Sequence, residues 1–260
     1  MSKYVLITGA TSGIGLEFSK VYYKHGYNLI LVGRNIEKLR ELKTNFSKVK
    51  VHIFSLDLSI LENVDMLLKN IKGEKLEVDI LINNAGAGFN GEFLEISWEK
   101  HNNIIDLNIK SLSKLTYGIL EMMKSRGYGK VLNVASTGAY QPGPFIGVYY
   151  ATKAYVLSFS AALREEVKDY GIIVSCLCPG ATKTEFSKRA GKGDLNVAMD
   201  ARVVAEVGFK GLKKNKAIII PGTMNKVAII LSKIMPTVIN SKVVKKIQKK
   251  AIKLKEFKQK

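Results

Sequence analysis

The sequence predicts a single α/β domain built on a doubly wound parallel sheet. Short apolar runs alternate with helical patterns from the amino terminus onward, and the runs are apolar on both faces, as in parallel strands that helices cover on each side. The chain has 260 residues, 47% of them hydrophobic, so it can bury one large core. It contains no internal repeat and no low-complexity linker that would indicate a second domain.

The predicted elements follow one another in alternating order. Strands are predicted at 3–8, 28–33, 50–55, 78–84, 129–136, 172–179 and 217–222. Helices are predicted from about residue 14 and at 37–45, 61–71, 98–124 and 147–169. The stretch 183–199 is polar, basic and contains glycine, and it follows the sixth strand, which predicts a mobile lid over a substrate.

A glycine-rich turn joins the first predicted strand to the first helix. The free backbone N–H groups of such a turn and the positive end of the helix dipole suit a pyrophosphate, and glycine lets the backbone approach it closely. Because the turn lies within a βαβ unit, it predicts a dinucleotide site rather than an ordinary tight turn. The residues expected to contact the dinucleotide are Gly9, Thr11, Ser12, Gly13, Ile14 and Gly15.

The end of the second predicted strand bears on which dinucleotide binds. An acidic residue there would bind the ribose 2′-OH and repel a 2′-phosphate, but the chain has Arg34, whose planar fork can bind a phosphate. NADP(H) is therefore expected in preference to NAD(H), while a solvated arginine at the start of a helix is the alternative. Asp57, after the third strand, could bind the adenine amino group or cap the next helix.

The fourth predicted strand ends in Asn83-Asn84-Ala85-Gly86. Sheets of this class bind ligands at the carboxyl ends of their strands, and small residues there leave room for a cofactor across the sheet edge. The tetrapeptide taken alone could be a turn.

Ser136, Tyr149 and Lys153 form the most informative constellation. Ser136 ends the fifth predicted strand, and Tyr149 and Lys153 are four residues apart at the start of the next helix, so they share one helix face. An ammonium beside the phenol, together with an oxidised nicotinamide, would lower the tyrosine pKa from about 10 toward the working range. Such a pair also occurs in ordinary packing, but its place in a fixed order of motifs at element ends favours acid/base catalysis.

Taken together, these motifs resemble the short-chain dehydrogenase/reductase family in its compact form, a single Rossmann-type domain. The resemblance covers about residues 3–222 and rests on TGATSGIG at 8–15, NNAG at 83–86, Asn108, Ser136, YYATK at 149–153 and PGATKT at 179–184. It implies hydride exchange between a nicotinamide and a carbonyl or secondary alcohol. In this family pattern Tyr149 is the acid/base and Ser136 positions the substrate oxygen. Lys153 binds the nicotinamide ribose and lowers the tyrosine pKa, and Asn108 holds a water in a proton relay.

The resemblance also implies cofactor contacts. Asn84 is expected near the adenosine ribose, the backbone around Ile14 at the phosphates, and Thr184 at the nicotinamide carboxamide. Many NADP-preferring members have a second basic residue in the glycine turn, where this chain has Ser12, so the cofactor preference rests mainly on Arg34. Further expected cofactor contacts are Ala85, Gly86, Tyr149, Lys153, Pro179, Gly180 and Thr182.

The residues expected around the substrate oxygen are mostly apolar or aromatic, which suits a hydrophobic ketone, a 3-oxoacyl compound or a similar substrate. Several of them could instead pack in the core. They are Gly88, Phe89, Ala139, Tyr140, Pro142, Phe145, Tyr150 and Phe186.

Residues 223–260 carry eleven lysines against one glutamate, which is +10 of the net charge of +19. From Ser241 onward the pattern predicts an amphipathic basic helix with an apolar stripe, namely Val243, Ile247, Ala251 and Leu254. This extension of the 1–222 domain could be a solvated surface, a contact with an anionic membrane, or a subunit contact in a homo-oligomer, dimer or tetramer. Nucleic-acid binding is not expected, because neither interleaved aromatic residues nor a helix-turn-helix pattern accompanies these lysines.

The compartment is predicted to be the cytoplasm. The first strand begins directly after the amino terminus without a secretory signal, and no apolar run approaches the length of a membrane span. Cys176 and Cys178 lie two apart in an apolar run, which is typical of buried thiols in a reducing compartment. The three histidines are widely separated, so no metal is expected.

The sequence is also compatible with a function other than catalysis. A dinucleotide-binding regulatory or scaffold protein would keep the glycine turn but would not need a complete acid/base set. The presence of Asn108, Ser136, Tyr149 and Lys153 favours the enzyme.

Overall fold

The computed structural model describes residues 3–189 and 198–259. Seven parallel strands form one sheet in the order β3-β2-β1-β4-β5-β6-β9, and β7 pairs with β8 in a separate two-stranded sheet. The strands are β1 Tyr4–Thr8, β2 Asn28–Gly33, β3 Val51–Ser55, β4 Val78–Asn83, β5 Gly129–Val134, β6 Ile172–Leu177, β7 Thr182–Lys183, β8 Met199–Asp200 and β9 Ile218–Ile219.

Helices cover both faces of the sheet, which confirms the predicted doubly wound fold. Alternate residues of β1 point to opposite sides, so Val5 and Ile7 belong to one buried cluster and Leu6 to the other. The helices are α1 Gly13–Lys24, α2 Ile36–Asn45, α3 Leu61–Gly73, α4 Trp98–Ile105, α5 Leu112–Arg126, α6 Gly147–Val167, α7 Glu185–Arg189, α8 Ala201–Lys213, α9 Thr223–Ile234 and α10 Thr237–Gln259.

The strand order reverses between β1 and β4, which is the switch point of the sheet. Ligands of such sheets bind outside the carboxyl ends of the strands at this point. The glycine turn after β1, the segment after β4 and Ser136 after β5 all lie at that edge.

Two helical predictions were incomplete. The single helix predicted at 98–124 is interrupted by a π-helical segment, Asp106–Ser111, between α4 and α5. Helix α8 was not predicted, although its buried residues Val204, Ala205, Gly208 and Leu212 recur at helical spacing.

The predicted lid at 183–199 lies partly outside the described residues, since 190–197 are not described. Its described ends contribute β7, the short helix α7 and β8.

The extension forms two helices, α9 and α10, and α10 begins at Thr237 rather than near Ser241. The predicted apolar stripe of this helix is exposed at Val243 and Ile247, and the backbone alone is described at Ala251 and Leu254. The buried stripe, displaced by about 100° around the helix, consists of Asn240, Val244 and Gln248. Within the described ranges, no helix has the length and apolar character needed to cross a bilayer.

Candidate active site

The turn between β1 and α1 has the backbone that a pyrophosphate site requires. Gly9 and Gly13 have φ angles of +66° and +53°, which favour glycine, and a Cβ at Gly9 would lie 2.9 Å from Nδ2 of Asn84. Ser12 precedes α1, and among the described residues its side chain makes no capping hydrogen bond to the helix. The first N–H groups of α1 are therefore suited to an anionic ligand.

The segment after β6 lies against this turn. A Cβ at Gly13 would be 2.9 Å from Cγ2 of Thr184, so the predicted cofactor residues on either side of the cleft are brought together. Thr184 also accepts a hydrogen bond from the backbone N–H of Ser187 at 3.2 Å. Pro179, at the start of this segment, accepts a hydrogen bond from the backbone N–H of Thr137 at 2.9 Å, which connects β6 to the loop after Ser136.

The remaining predicted residues of the segment, Gly180 and Thr182, hold its shape. The hydroxyl of Thr182 is buried and donates to the carbonyl oxygen of Gly180 at 3.0 Å. On the other side of the cleft, a Cβ at Gly33 would lie 2.9 Å from Cγ2 of Thr11, which packs the turn against the end of β2.

Asn84 positions the glycine turn. Its Nδ2 donates to the carbonyl oxygens of Thr8 at 2.9 Å and Gly9 at 3.3 Å. The backbone N–H groups of Asn84 and Ala85 both donate to the hydroxyl of Thr8, at 3.0 and 2.9 Å. The side-chain amide of Asn84 therefore donates to the protein backbone of the glycine turn. The family resemblance implied that Asn84 lies near the adenosine ribose.

Arg34 and Asp57 face each other beyond the ends of β2 and β3. Nη1 of Arg34 is 3.5 Å from Oδ2 of Asp57, and two-thirds of the arginine side chain is exposed, so this pair is weak and the guanidinium can bind a further anion. Burial acts to raise the pKa of Asp57, but hydrogen bonds from Ser59 and the charge of Arg34 lower it below its usual value. Asp57 does not cap α3, because residue Ile60 occupies that position.

Tyr149 and Lys153 lie on one buried face of α6, as predicted. Nζ of Lys153 is 5.7 Å from the centre of the Tyr149 ring and donates to the carbonyl oxygen of Val134 at 2.8 Å. The side-chain hydroxyl of Ser136 is close enough to that of Tyr149 to act on the pKa of the phenol, which it lowers. The three residues predicted from their spacing are therefore adjacent in space.

The pKa values of Tyr149 and Lys153 both depart from their ordinary values. Burial raises the pKa of Tyr149 well above its ordinary value, and the nearby hydroxyl of Ser136 opposes this only in part. Burial also lowers the pKa of Lys153 to about 8. The expected fall in the tyrosine pKa requires Lys153 together with an oxidised nicotinamide, and it stays a prediction. In the protein alone, desolvation of the phenolate is the larger effect on this pKa.

Asn108 lies in the π-helical segment and is fully buried. Its Nδ2 donates to the carbonyl oxygen of Ala87 and to the hydroxyl of Thr152, both at 2.9 Å, and its Oδ1 accepts from the N–H of Ala87 at 2.9 Å. Both amide protons are thus used, which leaves one lone pair of Oδ1 for a water. Thr152, which the sequence did not single out, donates in turn to the carbonyl oxygen of Tyr149 at 2.7 Å.

Glycine at position 86 keeps the cleft open beside these groups. A Cβ there would lie 3.3 Å from Oδ1 of Asn108 and 3.4 Å from Nζ of Lys153. A flat ligand ring could therefore approach both side chains over the backbone of Gly86.

Part of the predicted substrate pocket is assembled around Tyr149. The ring of Phe186 is 5.4 Å from that of Tyr149, and Gly88 lies against both rings. Tyr150 and Ile146 join the same apolar cluster. These residues give the pocket an apolar wall beside the phenol.

Other predicted pocket residues have different surroundings. Tyr140 turns toward β6, where its hydroxyl is 3.9 Å from Sγ of Cys178, and it packs in a separate cluster. Pro142 is exposed, while Phe89 and Phe145 lie beneath the ammonium groups of lysines. Ala139 is half-buried in the turn after Ser136, to whose carbonyl its N–H donates at 3.0 Å.

Helix α10 contributes residues to the substrate side that the sequence did not predict. Val244 joins the cluster around Tyr149, and the buried Gln248 contacts the hydroxyl of Tyr150 at 3.4 Å and Nδ2 of Asn90 at 3.1 Å. The signal in the sequence was a stripe without lysine, Asn240, Val244 and Gln248, on a lysine-rich helix.

A dinucleotide cradle at the switch point of a parallel sheet, beside a buried tyrosine and lysine, defines the site of a nicotinamide-dependent oxidoreductase. The model of the short chain dehydrogenase family matches residues 3–194. The chain belongs to the short-chain dehydrogenase/reductase family.

The chain is 36% identical over 194 residues to the 17-beta-hydroxysteroid dehydrogenase type 3 of Mus musculus, a match that covers 72% of this chain and 63% of that protein. It therefore spans less than two-thirds of the length of this relative. Among solved structures, a short-chain dehydrogenase from Sphingobium yanoikuyae in complex with NADPH has a TM-score of 0.81 at 28% identity, covering 90% of this chain and 96% of that one. A 3-ketoacyl-(acyl-carrier-protein) reductase from Brucella melitensis complexed with NADH has a TM-score of 0.76 at 26% identity, covering 84% and 96%.

Proposed function

We propose that this protein reduces a hydrophobic ketone or 3-oxoacyl compound with NADPH, with Tyr149 as the proton donor. The observation that carries the proposal is the buried contact of Tyr149 with Ser136 and Lys153 at the switch point of the sheet. A bound reduced nicotinamide would supply the hydride.

The protonation state of Tyr149 at neutral pH fits the role of a proton donor in the reduction of a carbonyl. A tyrosine phenol is protonated at neutral pH, so Tyr149 can donate its proton to the oxygen of the carbonyl as negative charge develops there. Burial of Tyr149 raises its pKa and makes it a weaker acid, so the nearby ammonium of Lys153 has to favour the transfer. Ser136 donates a hydrogen bond to the same oxygen, and Lys153 stabilises the phenolate that remains. Asn108, through its remaining lone pair, holds a water through which the tyrosine regains its proton.

The substrate class is inferred from the pocket and from the relatives. Phe186, Ile146 and Val244 form an apolar wall beside Tyr149, so binding is driven by burial of apolar surface while few polar groups orient the carbonyl. The names of the mouse relative and of the Brucella structure refer to a hydroxysteroid and a 3-ketoacyl group, which are both apolar bodies that bear one reducible or oxidisable oxygen.

The test of the reaction is consumption of NADPH in the presence of steroid, acyl and simple ketones. Tyr149→Phe is expected to lose about 10²–10⁴ of the turnover while NADPH binding is retained. Tyr155→Phe is the matched control, since Tyr155 lies in the same helix with its hydroxyl bonded to Ser113 away from the site. Turnover that persists in Tyr149→Phe would exclude the assigned proton donor, and tight NADPH binding without turnover of any substrate would favour the scaffold function.

The preference for NADP(H) rests on Arg34. Among the described residues its exposed guanidinium is paired with Asp57 alone, at 3.5 Å, so it can form charge-assisted hydrogen bonds to a 2′-phosphate. Arg34→Ala is expected to weaken NADPH binding by about tenfold or more and to leave NADH binding within about twofold. Arg40→Ala removes the same charge from the exposed side of α2 and serves as the control. Equal losses for both cofactors would contradict the preference.

The proposal retains the division into a domain at 1–222 and an extension at 223–260, a cytoplasmic location and a homo-oligomeric state. The proposed boundary coincides with Gly222, which directly precedes α9. Light scattering of the purified chain measures the mass of the assembly, and a monomer at micromolar concentration would contradict the oligomer.

A further inference from the structure

Helices α9 and α10 carry an unusual concentration of exposed aliphatic side chains. Nine of the twenty large apolar side chains that are exposed among the described residues lie between 224 and 247, each 45–76% exposed. Scattered exposed apolar residues are normal, but such a concentration indicates an interaction surface. These nine, called the aliphatic surface below, are Met224, Val227, Ile230, Leu231, Ile234, Val238, Ile239, Val243 and Ile247.

On α9 the exposed aliphatic residues occupy one side of the helix. Met224, Leu231 and Ile234 recur at intervals of seven and three, which places them within one sector of the helix, whereas the buried Ile229 lies on the other side. Lys226 and Lys233 lie between these two sectors. Helix α9 therefore has an apolar side that is exposed to solvent, in addition to the side that is buried against the protein.

Helix α10 has two apolar stripes with different surroundings. Val244 belongs to the buried stripe that packs beside Tyr149. The neighbouring stripe, Ile239, Val243 and Ile247, recurs every four residues and is exposed. Packing on the catalytic site therefore explains one stripe and leaves the other in solvent.

The positive charge of residues 223–260 indicates which kind of partner fits the aliphatic surface. The extension carries +10 from eleven lysines and one glutamate, and the exposed lysines of α10 include Lys242, Lys245, Lys246 and Lys249. A second copy of the chain would place two +10 segments face to face, and a nucleic acid would leave the aliphatic residues in water. An anionic bilayer satisfies both features, because its acyl region receives the aliphatic residues and its headgroups attract the lysines.

We propose that the aliphatic surface of α9 and α10 docks on the surface of an anionic lipid bilayer, without spanning it. The two helices lie in the headgroup region, with the exposed aliphatic residues directed into the acyl boundary. The inner stripe of α10 keeps the catalytic domain attached to this surface. This inference does not depend on the proposed reaction, because docking requires neither cofactor nor turnover.

The test is flotation of the full chain with vesicles made of equal parts phosphatidylcholine and phosphatidylserine, compared with phosphatidylcholine alone. The wild type is expected to float with the anionic vesicles, to float less with the neutral ones, and to be released by high salt. Met224→Gln with Ile234→Gln, at the two most exposed positions of the surface, is expected to lower partitioning by about tenfold or more.

Two matched controls separate docking from general effects. Ile60→Gln with Met66→Gln removes two apolar side chains elsewhere that are about half exposed and should leave flotation unchanged. Lys242→Gln with Lys246→Gln should lower flotation on anionic vesicles severalfold, whereas Lys213→Gln with Lys214→Gln, of identical net charge, should not.

Three results would overturn the proposal. They are a wild type that does not float with anionic vesicles, controls that lose as much as the surface variants, and a Met224/Ile234 double variant that floats normally but falls from dimer to monomer in sedimentation equilibrium. The last result would assign the aliphatic surface to a second copy of the chain.

Discussion

Lys153→Met should abolish a characteristic rise in stability at alkaline pH. Lys153 is buried, and burial lowers its pKa to about 8 from an ordinary value of 10.5. Below pH 8 both the folded and the unfolded chain carry the ammonium, and the folded state bears the cost of burying it. Between pH 8 and 10.5 the unfolded chain binds more protons than the folded one, so stability rises with pH through this window.

The difference of about 2.5 pKa units corresponds to about 3 kcal/mol of unfolding free energy that wild-type protein lacks at pH 7. Lys153→Met removes this cost but leaves the carbonyl of Val134 without its partner, which costs about 1 kcal/mol. The variant is therefore expected to be more stable than wild type by about 2 kcal/mol at pH 7, with the advantage shrinking as the pH rises.

Urea unfolding of cofactor-free wild type and variant at several pH values between about 7 and 9.5 measures this difference. Higher pH is avoided because burial also raises the pKa of Tyr22 and Tyr149, and such groups make stability fall above about pH 10. Lys213→Met, at an exposed position, is the control and should retain the wild-type slope. Parallel curves for wild type and Lys153→Met would refute the assignment of a desolvated ammonium at this site.

Three further predictions follow from contacts in and around the site. Gly88→Ala places a Cβ 2.8 Å from Cδ2 of Tyr149, so it should displace the phenol and lower kcat by about tenfold to a hundredfold with unchanged NADPH affinity in a fluorescence titration; an unaltered kcat would show that the ring adapts. Gln248→Leu removes the contact with Tyr150 and should raise KM severalfold while kcat changes by less than about twofold, and a change confined to kcat would place Gln248 in the chemistry instead. Asn133→Leu removes its hydrogen bonds with the buried Asn83 and Ser160, each of which keeps one other hydrogen bond, and should lower the urea unfolding free energy by about 1–3 kcal/mol; a loss below about 0.5 kcal/mol would contradict a structural role for this buried network.

Much of the fold and of the catalytic centre could be predicted because the relevant signals are local. The strands are short apolar runs, and the carboxyl ends of parallel strands meet at one edge whatever the details of packing. Tyr149 and Lys153 share a face because four residues make about one helical turn, and Ser136 is adjacent because its strand ends beside that helix. Each of these conclusions needs only spacing and element order.

The tertiary structure alone decided how these residues are used. The pKa of Tyr149 in the protein alone depends on desolvation, and desolvation depends on everything packed around the phenol, so its spacing from Lys153 could not give this pKa. Tyr140 was predicted in the pocket, but its hydroxyl contacts Sγ of Cys178, which is 38 residues away in the sequence.

The extension shows the same limit. Its helical periodicity and its charge are properties of the sequence, and both were recognised. Its buried face is not the more apolar stripe with Val243 but the adjacent one, because Val244 and Gln248 meet the groups beside the site. A pattern shows that a helix has different sides, and only the surface that it meets determines which side is buried and which remains for another partner.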